Sequence, residues 1–221
     1  MSTLLGLGIG RDCGRGYAGG MTTSDGYVVE PLNLDRFGDL EEILGHGGIG
    51  GCWCMYWTIP TTALWRDGAR GGSNAANRES LLAMLEADSS PGLICYIAGE
   101  PAAWCRVMRR TELPGLANSR YFKTDLGIAN VWSLPCFVVR KDYRGKGLTA
   151  VLIRAAIEYV RQSGGGILEA YPWDTSEQKS AATVYTGVAS TFGRLGFTVV
   201  QRRAPHKPMM RLLVDSARIE E

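Results

Sequence analysis

The spacing of apolar and polar positions predicts alternating strands and helices from about residue 27 onward. The segment YVVEPL (27–32) predicts a strand, and LDRFGDLEEILG (34–45) predicts a helix with Asn33 as its N-cap. The segment NRESLLAMLEAD (77–88) has helical spacing and ends at the turn sequence SSPG. The aromatic run at 51–59 predicts either a strand or another buried segment.

The middle of the chain predicts paired strands separated by a long loop. The apolar runs LICYIAG and EPAAWCRVMRR flank Gly99 and Glu100, which is the pattern of a β-hairpin. Residues 111–130 show no clear period and predict a loop, and a loop of this length in a compact domain is often functional. The segments VWSLPCFVV (131–139) and ILEAY (167–171) predict two further strands.

Between those two strands, apolar residues from Leu148 onward recur at i, i+3, i+4 and i+7, which predicts one helix running to about Arg161. The segment ATVYTGVASTFGRLG (182–196) predicts a last long helix, and FTVVQRR and PMMRLLV predict closing strands. A strand–helix–strand crossover placed among antiparallel strands predicts an α+β fold, with a mixed α/β sheet that carries helices on its faces.

Composition and charge are those of an ordinary globular protein. The chain has 221 residues, of which 45% are hydrophobic and 21% charged, and its net charge of +2 predicts no nucleic-acid partner. No apolar stretch is long enough for a bilayer, so we expect no membrane partner. Glycines are concentrated at the start, where GLGIG lacks the strand and helix of a nucleotide loop. We therefore expect a flexible Gly-rich extension over 1–26 and a single domain over 27–221.

The six cysteines indicate a reducing environment. Several lie inside apolar runs, which is typical of buried thiols in a cytoplasmic protein. The Cys52-x-Cys54 pair leaves a zinc site as an alternative, but the chain has only two histidines, His46 and His206. We therefore expect no metal.

The segment KDYRGKGLTAVL (141–152) places glycines and cations between a strand and a helix. The first amides of a helix lack intrahelical partners and lie at the positive end of its dipole, which together favour an anion such as a phosphate. Glycine allows the backbone to approach that phosphate closely. A solvated basic turn in front of an ordinary helix is the alternative.

Two nucleotide motifs fit this segment less well. The Walker spacing G-x-x-x-x-G-K-[ST] is absent. The pattern G-x-G-x-x-[GA] is met by Gly145, Gly147 and Ala150, with Glu169 at a suitable distance downstream. However, five residues separate Val139 from Gly145, and too few residues remain for the additional βα units of a dinucleotide domain. A nucleotide-dependent oxidoreductase is therefore a remote alternative.

The longer segment CFVVRKDYRGKGLTAVLIRAAIEYV closely resembles the acetyl-CoA-binding motif of the GNAT superfamily of N-acetyltransferases. The family pattern [QR]-x-x-G-x-[GA] is met by Arg144 and Gly147, with Thr149 substituted in the last place. The segment STFGRLGF resembles the A-x-x-x-Y-x-x-x-GF element of the same family, and the resemblance spans roughly 27–214. It implies a central mixed sheet flanked by helices, in which two splayed parallel strands bind acetyl-CoA.

The resemblance also implies a set of cofactor-binding residues. The helix start would hold the pyrophosphate, the preceding strand would offer main-chain groups to the pantetheine arm, and Arg140 and Lys141 would reach the adenosine phosphates. The residues expected to bind acetyl-CoA are Phe137, Val138, Val139, Arg144, Gly145, Lys146, Gly147, Leu148, Thr149 and Phe192.

The implied reaction is direct attack of a primary amine on the thioester, which requires a base for the ammonium proton. We favour Glu169 as that base, since it lies on the strand after the motif helix and shares a strand face with Tyr171. A carboxylate paired with a basic residue is the alternative for Glu169, and Asp125 and Asp174 are its rivals as the base. The family's tyrosine acid is replaced by Phe192, which has no proton to donate. Tyr185, on the presumed last helix, is the candidate substitute acid; a packed or surface tyrosine is the alternative. The thiolate could also leave unassisted or take a proton from water.

An acyl-enzyme route through Cys136, which lies in the motif strand, is less favoured than plain packing of that side chain.

The acceptor is predicted less closely. Trp53 and Trp57 lie where the family builds its acceptor wall, and a small-molecule amine is preferred over a protein terminus. A basic cluster near the end of the chain predicts either a solvated tail or binding of an acidic acceptor. Use of a longer acyl-CoA, a non-catalytic acyl-CoA sensor and a homodimer are all left open. The cluster consists of Arg202, Arg203, His206 and Lys207.

Overall fold

The computed structural model describes residues 20–22, 26–45, 51–58, 74–87, 89–175, 180 and 183–217. Within them, eight strands form one sheet in the order β1-β2-β3-β4-β5-β6-β8-β7. The strands are β1 (Met21–Thr22), β2 (Tyr27–Pro31), β3 (Gly92–Ile97), β4 (Glu100–Arg109), β5 (Val131–Val139), β6 (Gly166–Ala170), β7 (Thr198–Arg202) and β8 (Pro208–Val214). The helices are α1 (Phe37–Leu44), α2 (Asn74–Glu86), α3 (Pro114–Ala117), α4 (Leu148–Gln162) and α5 (Ala189–Arg194).

The predicted crossover is confirmed. Neighbouring strands pair antiparallel except β5 and β6, which are parallel and joined through α4. Their parallel register covers only Val131–Leu134 against Ile167–Ala170. Strand β5 then continues to Val139 without β6 beside it, so the two strands separate. We call the gap beyond Leu134 the splay.

The N-terminal elements follow the predicted pattern closely. Strand β2 matches 27–31, and the predicted helix forms as a short 3-10 turn followed by α1. The Asn33 side chain accepts a hydrogen bond from the Arg36 amide at 3.0 Å, as expected of an N-cap. Gly45 ends α1 with a φ of +59°. Strand β1 pairs with β2 although it lies inside the segment assigned to the extension; residues 1–19 lie outside the described residues.

Over its described residues, 51–58, the aromatic run takes the second of its two predicted forms, a buried segment, because Met55–Trp57 forms a 3-10 turn after left-handed Trp53 and Cys54. The predicted β-hairpin is confirmed, but its turn lies one residue earlier than expected. The hairpin turn is centred on Ala98 and Gly99, whose φ values of 51° and 85° suit a tight turn. Glu100 is therefore the first residue of β4.

The predicted long helix at 182–196 is wrong, because among the described residues of that segment, 183–196, only Ala189–Arg194 is α-helical. Gly187 has a φ of +84°, and a Cβ there would lie 2.7 Å from the Phe192 ring. The chain thus turns away from a helical path at Gly187 so that Phe192 can pack against it.

The predicted loop at 111–130 is interrupted by the end of a 3-10 turn and by the four-residue helix α3.

The core lies on both faces of the sheet. On the α4 face, Cys105 and Val107 pack with the buried side of α4. On the opposite face, which we call the α1 face, Trp104 and Cys136 pack with α1 and Trp53. This division follows from the alternation of side chains along β4 and β5. Among the described residues, no helix combines the length and apolar character that a membrane span needs.

Candidate functional site

A cleft of about 760 Å³ opens where β5 meets the start of α4. Its floor and one wall are formed by the outer half of β5 and the basic segment that follows, 137–145, together with the helix start, 147–149. The opposite wall comes from the end of α1, 42–45, and from Ser180, Val184 and Tyr185. The cleft therefore lies at the splay and at a helix N-terminus at the same time.

The helix start is open toward this cleft. Gly145 and Gly147 have φ values of +79° and +74°, and a Cβ built at either would meet no atom within 4 Å. No side chain caps α4, so the amides at Leu148 and Thr149 lack both an intrahelical partner and a side-chain acceptor. The 15-residue length of α4 adds a helix dipole to those amides. This combination favours an anionic group in the cleft.

Cations surround the same opening. Arg140, Lys141 and Arg144 line the cleft. Arg140 is held by a salt bridge to Glu42 and by the Pro101 carbonyl, to which it donates at 2.7 Å. The Arg144 Nε donates to the Val139 carbonyl at 3.2 Å. Because Glu42 and Asp142 also line the cleft, these three cations leave only a small net positive charge beside the open amides.

Strand β5 presents its main chain to the splay at alternate residues. The Arg140 amide donates to the Ala102 carbonyl on β4 at 3.0 Å, whereas the Phe137 amide donates to the Tyr185 carbonyl at 2.7 Å. Because the ladder alternates, Phe137 and Val139 direct their main-chain groups into the splay and Val138 directs its own toward β4. Val138 therefore reaches the cleft through its side chain, not through the main-chain groups expected from the sequence.

Eight of the ten residues expected to bind acetyl-CoA line the cleft together, which leaves out Lys146 and Phe192. The Lys146 ammonium lies 5.3 Å from the Tyr143 ring centroid. Phe192 is fully buried between Phe137 and Phe197 in the core. Contact of any of the ten with a cofactor stays a prediction.

The sequence did not predict that the end of α1 forms one wall of the cleft. Nothing in the apolar pattern of α1 indicates which of its turns contacts the segment between β5 and α4. The lining residues that we did not expect there are Glu42, Ile43, Leu44, Gly45, Asp142, Tyr143, Ser180 and Val184.

Tyr185 lies in the cleft wall, although not on a helix. Its carbonyl accepts from the Phe137 amide, and its ring packs beside the core of the α1 face. Burial raises the pKa of the Tyr185 phenol, and the nearby Cys136 thiol raises it further. The phenol therefore keeps its proton at neutral pH and is available as a donor.

Glu169 lies outside the cleft, in a buried network on the α1 face. Its carboxylate is fully buried and forms ion pairs with Arg110 and with Arg211, the latter at 2.7 Å. The Tyr171 hydroxyl donates to the Glu169 Oε1 at 2.5 Å and also contacts the Ser133 hydroxyl at 2.8 Å. Glu169 and Tyr171 thus share a strand face as predicted. Glu169 and Tyr171 are both fully buried, and neither lines the cleft.

The rival bases are both exposed and lie outside the cleft lining. Asp174 is paired with Arg202 at 2.7 Å, and Asp125 lies on the 111–130 segment. Cys136 is buried with its sulfur 3.2 Å from that of Cys54, which matches the packing that we preferred for it. Among the described residues, no group of three or more His, Cys, Asp or Glu side chains is placed to hold a metal ion.

Both candidate acceptor-wall tryptophans cover the α1 face. Trp53 stacks on Phe37 with ring centroids 6.0 Å apart. Trp57 is buried and meets the Phe122 ring edge-on at 5.9 Å. Contact of either tryptophan with an acceptor stays a prediction.

The basic cluster near the chain end is largely exposed, but two of its side chains contact Trp173. The His206 ring stacks on Trp173 with centroids 4.8 Å apart, and the Lys207 ammonium lies 3.5 Å from the Trp173 ring centroid. Partial burial lowers the pKa of Lys207 to about 8. The β7–β8 turn is therefore anchored beside the carboxyl end of β6.

Comparisons with known proteins agree with this geometry. The family model described as "Acetyltransferase (GNAT) family" matches residues 58–186. Arylalkylamine N-acetyltransferase 2 from Aedes aegypti is 13% identical, with a TM-score of 0.51 over 86% of this chain and 99% of that one. An N-acetyltransferase from Staphylococcus aureus Mu50 is 12% identical, with the same TM-score and the same coverage of both chains.

A PaiA N-acetyltransferase from Thermoplasma acidophilum, in complex with coenzyme A, is 13% identical over 85% of this chain and 98% of its own, with a TM-score of 0.48. At these identities the likeness concerns the fold alone. No curated protein matches the sequence.

Proposed function

Because the chain belongs to the GNAT acetyltransferase family, we propose that it transfers the acetyl group of acetyl-CoA to the primary amine of a small molecule. Membership of the family makes the chain an acyltransferase that uses CoA thioesters. The identity of the acceptor and the residues that act on it are parts of the proposal.

The cleft at the start of α4 is the observation that supports the proposal best. A CoA thioester carries a pyrophosphate and a long pantetheine arm. The open amides after Gly147 and the cation at Arg144 suit the pyrophosphate. The unpaired edge of β5 beyond Leu134 suits the arm, since it offers main-chain groups at Phe137 and Val139.

We place the thioester in the splay, next to the Phe137 amide. That amide is the donor available to polarise the thioester carbonyl as negative charge develops on its oxygen. In the structure, the Phe137 amide donates a hydrogen bond to the Tyr185 carbonyl. Binding would therefore require the Tyr185 main chain to give up this hydrogen bond.

The reaction needs two proton transfers. The amine nitrogen bonds to the thioester carbon, the C–S bond breaks, and the sulfur leaves as a thiolate. The protonated phenol of Tyr185 lines the cleft and is our proposed donor to that thiolate. Glu169, acting through the Tyr171 hydroxyl, is our proposed acceptor of the ammonium proton.

A small acceptor is favoured by the enclosure of the α1 face, from which it would approach. Trp53 and Trp57 are buried there, with exposed fractions of 4% and 8%. In the part of the chain that the structure describes, the face presents packed side chains beside the splay, not an open groove. A compact amine fits this enclosure better than an extended polypeptide.

Calorimetric titration with acetyl-CoA tests the cofactor part of the proposal. We expect micromolar binding by the wild type and none by Gly147→Trp, whose indole would fill the open helix start. Gly164→Trp is the matched control, because Gly164 also has a positive φ (+92°) with nothing within 4 Å and lies at the far end of α4. Wild-type protein that does not bind at millimolar acetyl-CoA would overturn the proposal.

Two alternatives are separated by thiol release. A non-catalytic sensor is favoured by Phe192, which is fully buried and has no proton for the thiolate. Such a protein would bind acetyl-CoA and release no thiol with any amine. An acyltransferase for longer chains would release thiol faster from butyryl-CoA or hexanoyl-CoA than from acetyl-CoA.

A further inference from the structure

Arg106 carries a guanidinium group into the apolar core of the α1 face. It lies on β4 and has no exposed surface. Its Nε donates to the Met108 sulfur at 3.1 Å, and its two terminal nitrogens lie 3.6 Å from the Met55 sulfur and 3.5 Å from the Met84 sulfur. The one oxygen that the structure gives it is the Thr58 hydroxyl, at 2.9 Å. Three of its four contacts are therefore thioethers, which are weak acceptors.

The buried charge lacks an anionic partner within 4 Å among the described residues. The contrast with Arg110 is direct, because that equally buried guanidinium is paired with the Glu169 carboxylate. Burial lowers the pKa of Arg106, yet an arginine remains charged at neutral pH. An isolated charge in a core is strongly unfavourable unless it is paired and hydrogen-bonded. The part of the chain that the structure describes thus places no anion in contact with Arg106.

The carboxyl group of Glu112, which interacts electrostatically with Arg106, does not provide this anion. Arg106 and Glu112 feel each other's charge, but no ion pair joins them. The Glu112 Oε2 is buried without a hydrogen-bond partner, and burial raises the pKa of this carboxyl. The two groups are therefore close enough to interact and too far apart to neutralise one another directly.

Arg106 lies next to the proposed reaction centre. It pairs with Cys136 in the β4–β5 register, and residues so opposed have Cα atoms about 5 Å apart. Cys136 immediately precedes Phe137, whose amide points into the splay. The side chain of Arg106 projects on the α1 face, beside Trp104 and Cys136. In the proposed function, the acceptor approaches the thioester from this same face.

We propose that Arg106 binds a carboxylate of the acceptor, so that the acceptor is an amino acid or a similarly small amine with an acidic group. The inference rests on the proposed function. A guanidinium binds a carboxylate through two parallel hydrogen bonds, which would use the donors that now face sulfur. Methionine side chains are flexible, so Met55 and Met84 can move aside for the ligand without loss of the core.

This assignment can be tested with sets of acceptors that differ only in whether they carry the carboxylate. A panel of L-amino acids is compared with the corresponding carboxamides and decarboxylated amines by release of the CoA thiol. We expect kcat/KM of the wild type to favour the acids by about 100-fold or more, as for a site with a buried partner for a charged group. In Arg106→Met the acids and amides should differ by less than about threefold.

Arg109→Met is the matched control for that variant. It removes the same charge from the same strand, but the Arg109 guanidinium lies over Trp132, 3.8 Å from the ring centroid and away from the α1 face. We expect Arg109→Met to keep the full preference for acids. Equal loss of preference in both variants would overturn the assignment.

A thermal measurement separates this role from a structural one. If the charge is unpaired in the free protein, Arg106→Met should keep or raise the melting temperature, since a methionine suits this core better than an isolated cation. Glu112→Gln removes the carboxyl group of the chain that interacts electrostatically with Arg106. A fall of several degrees in Arg106→Met, repeated in Glu112→Gln while the acid preference persists, would overturn the proposal.

Binding without turnover keeps the two proposals distinct. The amino acids that are turned over fastest, or the whole panel if none is, are titrated calorimetrically into the free and the CoA-loaded protein. Failure of acetyl-CoA to bind would defeat the proposed function, and heat from the amino acids that is lost in Arg106→Met would still support the carboxylate site. Absence of heat from every amino acid at millimolar concentration in the wild type would overturn it.

Discussion

Replacement of Glu169 by glutamine probes the buried network on the α1 face. The change keeps the shape of the side chain and removes its charge. Arg110 and Arg211 would then lose their shared carboxylate, and Arg110 has a side-chain exposure of only 4%. The Tyr171 hydroxyl could still donate to the amide oxygen. The loss is therefore mainly electrostatic.

The expected cost follows from the burial of these groups. Removal of one partner from a buried ion pair typically destabilises a protein by about 3–5 kcal/mol. Arg211 retains 11% side-chain exposure, so part of its charge can be solvated by water, which places the expected loss near the lower limit. At about 3 kcal/mol, a domain of this size should melt about 6–12 °C lower.

Thermal and urea unfolding of the two proteins measure this difference. Glu158→Gln is the matched control, because Glu158 pairs with Arg161 on the surface of α4 with side-chain exposures of 31% and 40%. An exposed pair of this kind contributes about 0–0.5 kcal/mol. If Glu169→Gln cost no more than Glu158→Gln, the ion pairs of Glu169 would not stabilise the fold, and our argument from burial would fail.

Three further changes test separate parts of the structure. Tyr185→Phe should lower kcat by about 10²–10⁴-fold with little change in acetyl-CoA affinity, since it removes the proposed proton donor; an unchanged kcat would exclude that role. Lys207 has a pKa lowered to about 8, so its folded form holds fewer protons than the unfolded chain between pH 8 and about 10.5, and stability should rise across that window in the wild type but not in Lys207→Met. Parallel pH curves of the urea midpoint would contradict this. Gly92→Ala should destabilise the fold by about 1–3 kcal/mol, because its Cβ would lie 2.1 Å from a carbonyl oxygen of β4, whereas Gly127→Ala, with open space around it, should be neutral.

Local pattern was sufficient for elements whose sequence has one dominant period. Strand β5 has its predicted bounds, and α4 ends one residue beyond the predicted end at Arg161. The length of the last helix was overestimated because the residues of Ala189–Arg194 and those before them have similar helix propensities. The deciding contact is between Gly187 and the Phe192 ring, and it becomes visible only in three dimensions.

In the candidate site, too, features that are local in the sequence could be predicted, and features that depend on long-range contacts could not. The glycines and cations at the helix start form one continuous stretch of sequence, and the sequence alone identified them. The network around Glu169 joins β6 to Arg110 and Arg211, which are 59 and 42 residues away. Arg106 lies in a strongly apolar run, EPAAWCRVMRR, where its full burial could not be distinguished from a position at the strand edge.

The short parallel contact between β5 and β6 has a consequence for the cooperativity of the molecule. Strands β1–β5 form one antiparallel unit and β6–β8 another, and only Val131–Leu134 and Ile167–Ala170 join them edge to edge. Such a seam is a natural boundary for sub-global opening, detectable as faster amide hydrogen exchange in β6 and β8 than in β3 and β4. A CoA molecule in the splay would bridge both units. Binding of CoA should then slow amide hydrogen exchange most in the C-terminal unit, β6–β8, because the ligand would hold the two halves of the sheet together.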